Sequence, residues 1–178
     1  MVEMPSEELA EVYGRRLQAE LEAADIELPG ADAVRGSGRP SASVLLVKGE
    51  PGPAEIGGGV ALSGADGDAI DKALEALGRD PRDRYAVVSR PVAGVSDDRV
   101  KRRLRRIIEA CDPVWVVALD PDAAHDVFHA LGRPELGPGT VTRLMGRSVL
   151  ALEGLEASLE DEALKRRVWA HLKALRTE

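Results

Sequence analysis

The segment "VLLVKGEPGPAEIGGG", Val44 to Gly59, ends an apolar run on one lysine and then breaks into glycines, prolines and two glutamates. A carboxylate in a loop beyond a strand end is placed to hold a water or a ligand. Glu50 is therefore the first candidate for chemistry. The competing reading is a solvated glutamate in a tight turn. The glycines would permit close backbone approach and unusual φ angles. The stretch lacks G-x-x-x-x-G-K-[ST], and "GGG" at 57–59 does not fit the dinucleotide fingerprint, so neither phosphate-cradling loop is present.

Other reactive residues are sparse. His125 and His129 stand four apart, the spacing of paired metal ligands on a helix. No glutamate follows His125 and no third ligand is evident, so no metal site is expected. Cys111 is the only cysteine, which excludes a disulfide within the chain and a cysteine-only metal site. Its place after Ile107 and Ile108 reads as core packing. "RVKRRLRR" (99–106) carries six basic residues in eight. It reads either as a solvated helix face or as a phosphate-tracking patch, and it has no interleaved aromatics. Trp115 and Trp169 read as core anchors, and His171 as exposed.

These residues need a scaffold, and hydrophobic periodicity supplies one. Apolar runs at 43–48, 85–89, 113–119 and 147–152 read as strands. Amphipathic stretches at about 6–24, 66–78, 96–111, 120–132 and 160–176 read as helices. Ser96 is expected to cap the third of these, and Pro121 to open the fourth. Strands alternating with helices predict a three-layer α/β/α sandwich around a four-stranded, mostly parallel sheet. Residues 1–30 are expected to form an N-terminal helix and linker, and 31–178 the α/β domain.

The composition agrees. The chain has 178 residues, 44% hydrophobic but only 3% aromatic, so Ala, Val and Leu must fill the core. Its net charge of −7 argues against avid non-specific nucleic-acid binding. No apolar run approaches a membrane span, and the acidic N-terminus lacks a signal-peptide h-region, so a cytoplasmic protein is expected.

The order of motifs carries more than any one of them. "VRGSGRPSASVLLVKGEPGPAE", "GVALSGADGDAIDKALEALG", "YAVVSRP" and "LEASLEDEALKRRVWAHLKAL" follow one another from Val34 to Leu175. The string resembles the uracil-DNA glycosylase superfamily, closest to the branch whose first motif reads G-E-A-P-G followed by a glutamate. The resemblance implies a four-stranded parallel sheet between helical layers. It also implies a pocket for a base flipped out of DNA. In the family, an acidic residue or asparagine in the first motif positions a water. An aromatic ring stacks on the base, an asparagine reads its edge, and a histidine in a late H-P-S-type loop stabilises the leaving uracil.

Carried over residue by residue, the resemblance is partial. Gly49, Glu50, Pro51 and Gly52 match the first motif if one residue is deleted after Glu50, and Glu55 then matches the following glutamate. Without the gap, Gly49 takes the acidic position and Glu50 the alanine position. The stacking aromatic falls in "GGVALSG", which ends at Gly64, and is replaced by Leu62. The edge-reading asparagine falls at Val88, which has no polar group. The histidine falls at Gly154, and losing such a donor costs about 3–4 kcal/mol. Glu153, Glu156, Glu160, Asp161 and Glu162 make the late loop hostile to phosphates. The branch's iron–sulfur cysteines are absent.

Two functions follow as expectations. One is a diverged domain without normal uracil excision, acting as a binding or interaction module for DNA, a nucleobase or a protein. The alternative is an active DNA glycosylase using Glu50 to position water. Gly49, Pro51, Gly52, Leu62, Gly64, Val88 and Gly154 are the candidate binding positions, and no cofactor is expected. A mononucleotide-binding domain of another doubly wound family is a third possibility.

Overall fold

A computed structural model describes residues 6–30, 32–56 and 59–176. The helices are α1 (Ser6–Asp25), α2 (Ala65–Ala76), α3 (Asp97–Cys111), α4 (Pro121–Ala130) and α5 (Glu162–Leu172). The strands are β1 (Ser37–Gly38), β2 (Val44–Lys48), β3 (Arg84–Val88), β4 (Trp115–Ala118), β5 (Val141–Leu144) and β6 (Arg147–Ala151). They form one six-stranded sheet in the order β1-β3-β2-β4-β6-β5. The expected four-stranded sheet is thus corrected to six strands. The neighbours within β3-β2-β4-β6 are parallel, and β1 and β5 add antiparallel edges.

The two additional strands have physical reasons for being missed. β1 is two residues long, inside a glycine-rich stretch that reads as loop. β5 is an edge strand whose side chains alternate between exposed and half-buried, so it lacks the unbroken apolar run of its neighbours. It reaches β6 through Met145 and Gly146, both at positive φ (52° and 84°), a tight hairpin without the Asn-Gly signal.

Side-chain alternation divides the core into two layers. Leu45 and Val47 of β2 face Leu104, Ile107 and Ile108 of α3 and Val127 and Phe128 of α4. Leu21 and Ala24 of α1 join that layer. Val44 and Leu46 face the opposite way, toward Ile70 and Leu74 of α2 and Val168 and Leu172 of α5. All five residues of β2 are buried, as a central strand covered on both faces requires. Fully burying each such Leu, Ile or Val contributes about 1.5–3 kcal/mol. Trp115 and Trp169 are half-buried and pack against the second layer. Among the described residues, no helix is long and apolar enough to cross a membrane.

The chain leaves β2 toward the α2 layer and leaves β4 toward the α4 layer. The crevice between these two exits lies at the carboxyl ends of the strands, where α/β sheets bind ligands. Two close approaches fix it. A Cβ on Gly49 would lie 2.6 Å from Asp120 Oδ1, so only glycine lets the end of β2 meet the start of α4. Leu62 is buried at φ 57°, a conformation that costs a non-glycine residue about 1–3 kcal/mol. Its carbonyl sits so close to Gly67 of α2 that any Cβ there would overlap it.

Candidate functional site

Lys48, the last residue of β2, is only 5% exposed at the crevice. A buried ammonium needs hydrogen-bonded counter-charges. Lys48 Nζ lies 2.7 Å from Asp66 Oδ2, 2.9 Å from Glu55 Oε2 and 3.0 Å from Glu156 Oε2. Its three donors therefore meet three carboxylates from three different segments. Burial opposes the charge on Lys48, but the hydrogen bonds it donates to Asp66, Glu55 and Glu156 outweigh it and raise the ammonium above its ordinary pKa. A nucleophilic or basic lysine needs the opposite shift, so Lys48 is held as a permanent cation.

The carboxylates are positioned with equal care. Glu55, 1% exposed, also accepts from the Gly52 and Leu62 amides, each at 2.6 Å. It thereby ties both ends of the glycine-rich loop to one side chain. Asp66 lies in the first turn of α2 and accepts its neighbour Gly67's amide at 2.9 Å. Glu156, beyond β6, is the exposed partner at 53%. A Cβ on Gly52 would lie 2.9 Å from both Glu156 Oε1 and Lys48 Nζ, so the two loops touch.

Asp120 flanks this cluster. It caps α4 by accepting from Ala123 N at 2.8 Å and also takes Gly49 N at 2.9 Å. Burial raises its carboxyl above the ordinary aspartate range, opposed by those two amides and assisted by nearby Asp122. With one lysine against four carboxylates, the crevice is acidic and disfavours phosphate.

Glu50 stands apart. It is exposed and lines a cleft of about 510 Å³ with Asp32, Pro51, Ile56, Arg90 and Pro91. Arg90 is itself engaged by Asp126 at 2.7 Å and Asp97 at 2.8 Å. Pro51 and Gly52 are half-buried in the turn beside Glu50, and Gly64 precedes α2. Leu62 and Val88 point into the α2–α5 core layer, at 6% and 1% exposure. Gly154 is buried at φ 151° beside Ala157. The structure thus brings Gly49, Gly52, Glu55 and the Leu62 amide to the lysine cluster and leaves Glu50 and the Leu62 and Val88 side chains outside it.

The cluster was visible in one signal: a lysine closing a run of buried strand residues. Such a charge must find partners, but nothing in the sequence names Asp66 and Glu156 as those partners. Other candidates resolve differently. His125 is exposed, 3.6 Å from Glu135, and no group of three potential metal ligands occurs among the described residues. Burial pushes the Cys111 thiol up to about 12, so it is inert at neutral pH. His171 is half-buried rather than exposed. Ser96 occupies the N-cap of α3 but makes no side-chain cap bond. In the basic run, Arg103 is buried rather than exposed and binds Asp25 and the Val88 carbonyl. Arg102, Arg105 and Arg106 are paired with Glu27, Glu109 and Glu20. Most of that patch is therefore neutralised by carboxylates. No protein-family model matches the chain, and no curated protein matches it.

Proposed function

We propose that the chain is a uracil-DNA glycosylase-like domain in which the base pocket has been closed, and that it serves as a binding or interaction module. The parallel strands between two helical layers, with a glycine-rich loop at the end of β2, fit the fold that the motif order implies. The observation that carries the reading is the contact from Lys48 to Glu156, 3.0 Å, which joins the first-motif loop to the late loop. In the family both loops act on the flipped base, and loops in direct contact leave no slot for a ring between them. Leu62 and Val88 add to this. At the stacking and edge-reading positions they offer hydrocarbon that is already used in the core.

The exposed Glu50 beside its own cleft supports the second reading, excision with Glu50 positioning water. One experiment separates the two. The protein is incubated with single- and double-stranded oligonucleotides carrying uracil, hypoxanthine or xanthine, and abasic sites are then cleaved with alkali. The closed pocket predicts no cleavage above background for any substrate. Cleavage that disappears in Glu50→Gln would overturn the proposal in favour of the enzyme.

A further inference from the structure

Helix α1 has 20 residues and is about 30 Å long, and every buried side chain described on it lies in its second half. Leu21 and Ala24 are buried in the core, and Leu17 packs against it. Glu20, Asp25 and Glu27 pair with Arg106, Arg103 and Arg102. Rising numbers on α1 and the turn after it, where Glu27 lies, meet falling numbers on α3, so the helices run antiparallel. α3 ends at Cys111, opposite the middle of α1, and the first turns of α1 project beyond it.

That projection is not polar all round. Leu9, Val12 and Tyr13 are 41%, 43% and 62% exposed. Their spacing of three and four residues places them on one side of the helix. An exposed helical end this short gains little from propensity alone, and an exposed apolar stripe on it marks an interaction surface.

We propose that the projecting part of α1 is a self-association surface whose occupant is α1 of a second copy, packed antiparallel about a two-fold axis near Val12. The charge pattern selects this occupant. Glu7 and Glu8 open the helix, and Arg15 and Arg16 follow about two turns later. Antiparallel pairing sets the acidic start of each helix against the basic segment of the other, and the two-fold axis repeats the contact. Parallel pairing would set like charges together. The apolar stripe also continues into the α1–α3 seam through Leu17, and a groove of about 500 Å³ lined by Tyr13, Leu17 and Cys111 opens beside it. This surface is independent of the proposed function at the carboxyl ends of the strands.

Sedimentation velocity on the full chain over a concentration series tests the inference. The wild type should dimerise with a Kd on the order of 10 µM, since the contact is smaller than a standard interface. Glu7→Arg with Glu8→Arg should weaken the dimer at least about tenfold, and Arg15→Glu with Arg16→Glu equally, because like charges then oppose. An equimolar mixture of the two variants should restore a heterodimer. Val12→Asp should abolish association without changing the melting midpoint, which shows that the variant still folds. A wild type monomeric at every concentration, a dimer indifferent to both charge variants, or no rescue in the mixture would each overturn it.

Discussion

Lys48 and Arg106 are both cations met by carboxylates, at the carboxyl end of the sheet and on the α1–α3 surface respectively. Lys48 is 6% exposed at its side chain and meets three carboxylates within 3.0 Å. Arg106 is 48% exposed and meets Glu20 at 2.9 Å. In water, the second pair gains little beyond what solvent already offers each charge. Around Lys48, Glu55 and Asp66 water has been replaced by protein, so each of these three depends on the others remaining charged and in place. The contrast separates charges that hold the architecture from charges that decorate it.

The largest effect should come from Lys48→Met. It leaves Glu55 and Asp66 buried without their cation, a change that typically costs about 3–5 kcal/mol. Urea denaturation measures it directly. Adding Glu55→Gln and Asp66→Asn to the same chain should recover part of the loss, because no uncompensated charge then remains. If Lys48→Met is as stable as the wild type, the cluster is not what joins the loops.

The same contrast explains what the sequence could and could not reveal. The parallel strands and all five helices were legible, because buried apolar runs and amphipathic stripes are local properties of the chain. β5 was not, since a half-exposed edge strand presents neither pattern. Glu50 drew attention through its motif, whereas Glu55 is the carboxylate that folds inward. Glu55 is held inward by the Gly52 and Leu62 amides and by Lys48, contacts between separate stretches of the loop and the end of β2. Asp66 and Glu156 lie 18 and 108 positions from Lys48 in the chain, arithmetic from their numbers that no local pattern encodes.

A smaller and pH-dependent effect should appear at Asp120. Burial raises its carboxyl in the folded protein, so the native state binds this proton more tightly than the unfolded chain does. Its contribution to stability therefore grows as pH falls through the raised folded value and levels off below the unfolded value of about 3.9. The difference in unfolding free energy, wild type minus Asp120→Asn, should shift in favour of the wild type on acidification. For one proton the slope cannot exceed about 1.4 kcal/mol per pH unit. A difference that stays flat would show that the amides of Gly49 and Ala123 cancel the effect of burial, and one that shifts the other way that they outweigh it. That outcome would move Asp120 into the same class as the exposed carboxylates.

The smallest effect should come from the exposed pair. A double-mutant cycle on Glu20→Ala and Arg106→Ala should give a coupling of only about 0.2–1 kcal/mol, falling further at high salt. The seam between α1 and α3 then rests on hydrocarbon: Leu21, 7% exposed, and Ala24, fully buried. Leu21→Ala in the same background should cost more than the ion pair, about 2–5 kcal/mol for a buried leucine, and should be insensitive to salt. A coupling above that of Leu21→Ala would mean that the arginine-rich face of α3 holds α1 electrostatically. Raising the salt would then loosen α1 from the body of the protein. If hydrocarbon dominates instead, α1 keeps its place across ionic strengths, and its exposed first turns keep a fixed direction relative to the sheet.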